Sequence, residues 1–312
     1  MNAIWARWAL AMLLAAHPSP SRAAGARDKA NIERHDVNEF VELLALRDGR
    51  LLLWTDRGHA YVRDPDGNWT DRIQLPLSHV WALVPDSAGF LASGELRDQT
   101  TVVVLFDARA HELRRWTPAQ PGWDLLVEGS RHWYVQPTGM VELLPDGRTG
   151  PLEAFPERSP GSWRSQPRVL THEGARLICY GAGHWLDYHP RAGCRRPGGE
   201  AWHFDDQHSV PAINCGPYVI AHGRRDEQVV ALSFDGQVVG QRSFPGQPVY
   251  ACGDSDTLVV GARRVVQVLK LPALEPVWSR RFDKGKVVRV AAPQGAVTYA
   301  TDAASGIFVV RR

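Results

Sequence analysis

Short apolar segments recur along this chain at nearly even intervals, and that spacing constrains the fold more than any single motif. Val41-Glu42-Leu43-Leu44 opens one unit, Val80-Trp81-Ala82-Leu83 the next and Trp123-Asp124-Leu125-Leu126 the third. Weaker starts follow at Arg168-Val169-Leu170, Ala212-Ile213-Asn214, Val249-Tyr250-Ala251 and Val287-Val288-Arg289. With Glu42, Trp81, Asp124, Arg168, Ile213, Val249 and Val288 as anchors, the steps are 39, 43, 44, 45, 36 and 39 residues. A unit of that length cannot bury its own faces, so each must stack on its neighbours.

Within the units the signals are those of strands. Leu51-Leu52-Leu53-Trp54-Thr55, Thr101-Val102-Val103-Val104-Leu105-Phe106 and Thr257-Leu258-Val259-Val260 are β-branched or apolar runs of strand length. Between such runs stand Asp48-Gly49, Asp66-Gly67, Asp146-Gly147 and Asp235-Gly236. Asp-Gly tolerates positive φ in a tight hairpin turn. The best helical stretch, Val37 to Leu46, fits a strand over Leu43 to Leu46 equally well. In the first unit we expect strands over Glu42–Leu46, Arg50–Thr55, Gly58–Arg63 and Asp71–Leu75. Seven four-stranded units stacked in this way make an all-β propeller of seven blades, with six as the alternative because units four and five are irregular. The last unit, Lys286 to Arg312, holds about three strands, and Ile32 to Val37 is a spare strand-like piece near the other end. We expect that piece to complete the last blade as its outer strand and so close the ring.

Residues 1–26 read as a secretory signal peptide. Arg7 supplies the positive region, Trp8 to Ala16 the apolar one, Pro18 and Pro20 break it, and Ala24-Gly25-Ala26 fits the small-residue cleavage pattern. Residues 27–312 are then one propeller domain in the periplasm or outside the cell. Removing Arg7 and Arg22 lowers Lys+Arg from 36 to 34 against 34 Asp+Glu, so the mature chain is formally neutral. Neutrality, with no long basic run, argues against nucleic acid as a partner. No second long apolar run suggests a membrane span. Cys179, Cys194, Cys215 and Cys252 are separated by 15, 21 and 37 residues and include no C-x-x-C, which disfavours zinc ribbons and thioredoxin-type sites. Export makes disulfides plausible. Three pairings are possible. We favour Cys179–Cys194, closing a local loop, and Cys215–Cys252, at similar points of adjacent units.

The segment His79-Val80-Trp81-Ala82-Leu83-Val84-Pro85-Asp86-Ser87-Ala88-Gly89-Phe90-Leu91 resembles the propeller repeat of bacterial two-component regulators, a V-W-a-l pattern followed by D-x-x-G. Phe40 to Leu53 is similar but lacks the Trp. More broadly the chain resembles the seven-bladed propeller superfamily, which includes WD-repeat-like, lactonase-like and quinoprotein-like members. The resemblance implies a fold and a taste for binding, and carries over no catalytic residue.

In a propeller, the connection between blades and the loop between a blade's second and third strands open on the same face. The longest connections fall there: 156–167, 195–211, 181–185, 223–228 and 94–100. They point to a binding face over blades three to five carrying Trp163, Arg164, His184, Trp202, His203, His208, Arg224 and Arg225. The plainer reading makes these segments solvated connections of variable length. His184, His189, His203, His208 and His222 cluster, with Asp187, Asp205 and Asp206 among them. We expect no metal site, because no known ligand spacing is present; His184, His203 and His208 would be its first candidates. Asp64-Pro65-Asp66-Gly67-Asn68-Trp69 is similar to the Asp-box turn of sialidase-like propellers but lacks its leading Ser/Thr, and Asn68-Trp69-Thr70 is formally a glycosylation sequon. Of the tryptophans beyond residue 26, most should fill wedges between blades, and Trp163 is the best exposed candidate.

Two functions follow. The first is a monomeric, non-enzymatic, exported module that binds a protein or cell-envelope ligand, with no cofactor. The second is an enzyme, either a metal-dependent lactonase-like hydrolase or a quinone-dependent oxidoreductase. A lactonase-type site would draw on Glu42, Asp124, Asn214 and Asp254, all near first-strand starts.

Overall fold

A computed structural model describes residues 32–36, 41–55, 58–122, 124–155, 167–182, 191–196, 201–203, 213–222, 227–253, 256–282, 286–292, 296–301 and 306–311. Asn31–Arg312 forms one compact unit. The described residues contain strands and no helix.

Among the described residues, β1 (Ile32–Asp36) comes first and the strands form seven four-stranded antiparallel sheets. Sheet one is β2 (Val41–Ala45), β3 (Leu51–Thr55), β4 (His59–Arg63) and β5 (Ile73–Gln74). Sheet two is β6 (His79–Pro85), β7 (Gly89–Glu95), β8 (Thr101–Asp107) and β9 (Glu112–Trp116). Sheet three is β10 (Asp124–Glu128), β11 (Arg131–Gln136), β12 (Gly139–Leu143) and β13 (Thr149–Ala154). Sheet four is β14 (Arg168–His172), β15 (Ala175–Ala182), β16 (Arg191–Arg195) and β17 (Ala201–His203). Sheet five is β18 (Ile213–Cys215), β19 (Tyr218–His222), β20 (Gln228–Ser233) and β21 (Val238–Ser243). Sheet six is β22 (Val249–Cys252), β23 (Thr257–Ala262), β24 (Val265–Lys270) and β25 (Glu275–Arg281). Sheet seven is β26 (Val287–Ala291), β27 (Ala296–Thr301) and β28 (Gly306–Arg311), with β1 as its fourth strand. The anchor residue of every repeat lies on the first strand of one sheet. β1 pairs with β28 from Ile32 opposite Val310 to Asp36 opposite Gly306. The first strands lie side by side, β2 against both β6 and β26.

Alternation explains why these strands are apolar throughout. Successive side chains leave a strand on opposite faces. In β3, Leu52 and Trp54 pack with Phe90, Ala92, Val104 and Phe106 of sheet two, while Leu53 turns the other way onto Ile307 of sheet seven. In β8, Val103 and Leu105 face sheet three and meet Trp116, Leu125 and Tyr134. A strand buried on both faces needs apolar residues at every position. Leu51, Leu52 and Leu53 are at most 1% exposed, which shows how completely both faces are covered.

Turn chemistry holds the hairpins. Gly67 takes φ 106° in the turn closing β4, and Asp64 Oδ1 accepts the Gly67 and Asn68 N–H groups at 2.8 Å each. Asp107 does the same for Arg109 and His111. Two disulfides form, with the favoured pairing. Cys179–Cys194 joins β15 to β16 within sheet four, and Cys215–Cys252 joins the first strands of sheets five and six.

Several boundaries differ from expectation. Arg50 and Gly58 lie in the turns flanking β3 and β4, and the strand expected over Glu42–Leu46 spans Val41–Ala45. Gly94 belongs to β7 opposite Val80. An added Cβ there would lie 2.0 Å from the His79 carbonyl oxygen, so this glycine serves a close strand approach, not a loop. Gly181, Arg195 and Gln228 likewise sit in β15, β16 and β20. The outer strand of sheet one shrinks to Ile73–Gln74, because the Arg63–Trp69 bridge diverts the chain after the turn.

Candidate functional site

A cavity of about 470 Å³ lies among the first strands. Its walls are Glu42, Leu43 and Leu44 of β2, residues 79–84 of β6, Asp124 of β10, Arg168 of β14, and Trp54 of β3. Glu42, His79, Asp124 and Arg168 all stand at or next to the start of their strands. In an antiparallel four-stranded sheet, that end also carries the connection from the fourth strand and the hairpin between the second and third. The cavity mouth therefore faces the same way as the connections expected to bind. A rigid apolar wall with a few convergent polar groups is the usual form of a ligand site.

The charges at the mouth are opposed in pairs. Arg289 of β26 donates through Nε and Nη2 to the two carboxylate oxygens of Glu42, tying sheet seven to sheet one. Asp124 is only partly screened from solvent at its surface, yet it is crowded between first strands. Burial pushes its carboxyl above the ordinary carboxylate value; the Arg168 charge and a bond from the Leu125 N–H pull it down without prevailing. Burial also pushes the Tyr250 phenol above its ordinary value, with Arg168 again opposing. Arg168 thus faces an acid from sheet three and a phenol from sheet six.

This arrangement bears on the lactonase-type set. Glu42 is committed to Arg289, and Asp124 shares its surroundings with Arg168. Asn214 gives its amide N–H to the Thr171 carbonyl, and its Oδ1 is buried with no partner among the described residues. Asp254 lies outside those residues. A divalent cation would have to compete with a guanidinium at each acid, so Glu42 and Asp124 form a poor cation site. Among the described residues no cluster of three His, Cys, Asp or Glu residues could hold a metal.

Trp163, Arg164, His184, His208, Arg224 and Arg225 lie outside the described residues. Trp202 and His203 are placed on β17 by their backbone alone. His79, Trp81, Arg168 and Arg289 of the mouth escaped the sequence reading as site residues. Their first-strand positions were legible; their convergence required the stacking of sheets.

A larger groove, about 860 Å³, lies between sheets three and four and is lined by Glu128, Arg131, Glu173, Arg176 and Arg196 among others. Its arginines are engaged. Arg176 pairs with Glu128 and Glu153, and Arg131 with Glu142. Both guanidiniums lie 4.5 Å from the ring centre of buried Trp133. The groove floor is a packed seam between sheets.

No protein-family profile matches the chain, and no curated protein sequence is similar to it. Solved structures are similar in fold. A virginiamycin B lyase from Staphylococcus aureus, a catalytically inactive variant with quinupristin, superposes with a TM-score of 0.61 at 10% identity, over 90% of this chain and 99% of that one. The β-propeller domain of Myceliophteria thermophila Cps50 (Swd1) gives 0.65 at 8% identity, over 90% and 99%. BamB from Moraxella catarrhalis gives 0.56 at 14% identity, over 90% and 96%. The chain is an all-β propeller. At these identities the likeness extends to the fold alone.

Proposed function

We propose that this chain is an exported, seven-bladed propeller, closed across its ends by β1, that acts as a monomeric binding module for a protein or cell-envelope ligand. The single observation carrying this reading is the cavity at the mouth of the first strands, where Trp81, His79 and the Arg168–Asp124 pair surround an apolar wall. To the same contact surface we assign Trp163, Arg164, His184, His208, Arg224 and Arg225, read from the sequence as lying on connections of units three to five, together with Trp202 and His203 of β17. Seven separate sheets and the β1–β28 pairing support the closed ring. Two disulfides and the residue 1–26 pattern support export. The opposed charges at the mouth favour recognition over hydrolysis, since each acid already has a counter-charge.

The test has two arms. Intact mass of the exported protein should match residues 27–312 less four hydrogens. Cross-linking in the cell envelope with wild type, Arg168→Ala and Trp163→Ala/Arg164→Ala should show one partner lost in the variants while thermal stability is kept. An identical cross-linked set in all three proteins would refute the assigned face.

A further inference from the structure

The mouth of the first strands carries one charge that can be switched off and one that cannot. Arg168 of β14 lines the cavity and is half-buried. Among the described residues no hydrogen bond or direct ion pair holds its guanidinium; the groups that face it are the Asp124 carboxyl of β10 and the Tyr250 phenol of β22. A guanidinium keeps its charge at any working pH and presents a planar fork of N–H donors, which calls for oxygen acceptors. Burial keeps the phenol neutral, so it supplies no counter-charge. Asp124 supplies one only at a cost, because burial disfavours its ionised form.

The other acid of the mouth is committed. Glu42 receives both Nε and Nη2 of Arg289, and His79 stands exposed at the rim. A cation entering the cavity would meet Arg168, which cannot lose its charge. An anion entering it would meet Asp124, which can be neutral, and would leave the guanidinium to the newcomer. That asymmetry selects an anion.

The wall decides what the anion is attached to. Leu43 and Leu44 of β2 and Leu83 and Val84 of β6 line the cavity and stay half-buried, whereas β7 and β8 behind them are buried over most of their length. Apolar surface left open in this way gains when an apolar group covers it. A bare phosphate has no such group; a carboxylate at the end of a short aliphatic stem does. A cavity of about 470 Å³ has room for a small ligand or the tip of a longer one.

We propose that the mouth recognises a carboxylate carried on a short apolar stem. Arg168 holds the carboxylate through paired N–H donors, and the wall formed by Leu43, Leu44, Leu83 and Val84 covers the stem. The inference rests on the mouth being the binding face proposed above and adds the chemistry of what enters it. The carboxylate belongs to a free short-chain acid or to the end of a peptide whose last residue is apolar.

The experiment titrates the full exported protein at pH 7 with 4-methylpentanoate and N-acetyl-alanyl-leucine, with the amide of each, and with 3-methylbutylamine. Calorimetry gives the affinities, and NMR follows the Arg168 Nε–H resonance. At least one carboxylate should move that resonance and bind tenfold or more tightly than its own amide, equivalent to about 1.4 kcal/mol. The acid and peptide arms tell the two sources apart. Arg168→Met should bring the carboxylate to the level of the amide with an unchanged thermal midpoint. Arg168→Lys, which keeps the charge without the fork, should retain part of the advantage. Asp124→Asn should bind the carboxylate at least as tightly as wild type does. The proposal is overturned if the amides or the amine bind as well as the acids, if Arg168→Met binds the acid as wild type does, or if Asp124→Asn costs tenfold. It is equally overturned by no binding of either acid up to about 10 mM. Cross-linking of Arg168→Ala in the cell envelope separates this failure from that of the binding face. A partner lost in that variant keeps the face and removes the carboxylate alone, whereas an unchanged set removes both.

Discussion

Removing the two disulfides should destabilise the protein by different but additive amounts. Cys179–Cys194 closes a loop of sequence separation 15 and Cys215–Cys252 one of 37. Restricting the unfolded chain by loops of those lengths is worth about 3 and about 4 kcal/mol at 25 °C. The two loops do not overlap in sequence, and the cysteines belong to different core clusters, Cys179 and Cys194 beside Leu177 and Val219, Cys215 beside Ile220 and Leu258. Their contributions should therefore add, to about 7 kcal/mol, a large part of the 5–15 kcal/mol that holds a typical fold. Alanine is the right replacement, because serine would bury hydroxyl groups at sites that are 0–3% exposed for Cys179, Cys194 and Cys215. Urea unfolding of Cys179→Ala/Cys194→Ala, Cys215→Ala/Cys252→Ala and the fourfold variant, followed by tryptophan fluorescence and far-UV circular dichroism, measures each step. The slope with urea should also rise as cross-links go, since the unfolded chain exposes more surface. A cost under about 1 kcal/mol for the Cys215–Cys252 pair, or a fourfold variant no weaker than the worse double, would refute the argument from chain entropy.

Other expectations follow from single residues. Asp86, 3% exposed at its side chain, meets His132 Nε2 at 2.9 Å and joins sheet two to sheet three. Burial pushes the Asp86 carboxyl up, but the Ala88 N–H, the His132 bond and charge and the Ser87 N–H outweigh it, leaving the carboxyl below its ordinary value. That contribution is complete above the unfolded carboxylate value and is lost as pH falls through the folded one. Wild type should thus weaken from about pH 4 downward, and Asp86→Asn should weaken less with acid while costing about 2 kcal/mol at neutral pH in urea titrations. Trp133→Ala should cost about 3–5 kcal/mol in the same assay and release Arg131 and Arg176 from the ring they share. Gly94→Ala should cost about 1–3 kcal/mol through the clash with the His79 carbonyl; no loss of thermal midpoint would mean β6 and β7 are not packed as described. Arg168→Met should raise the Asp124 carboxyl further, seen by carboxyl-carbon NMR titration, because the opposing charge is removed.

Much of this architecture was legible in the amino-acid order alone, because it rests on local rules. Alternation, Asp-Gly turns and the forty-residue spacing are properties of short segments, so each anchor fell on a first strand and Ile32 to Asp36 was recognisable as a strand lacking a local partner. Cysteine spacing left three pairings open; the favoured one, a local loop for Cys179–Cys194 and similar points of adjacent units for Cys215–Cys252, is the one that forms. Gly94 misled because a glycine in a turn and a glycine under a neighbouring carbonyl look alike until His79 is placed beside it. The candidate site belongs to the tertiary structure for the same reason. Glu42 and Arg289 are separated by 247 residues and touch only because sheet seven lies against sheet one. Asp124 departs from its ordinary titration because first strands from different repeats crowd it, and neither crowding nor the facing Arg168 is written in the spacing of either residue. Local sequence determines strands, turns and their order; the contacts between repeats, which set distance, burial and charge, exist only once the sheets stack.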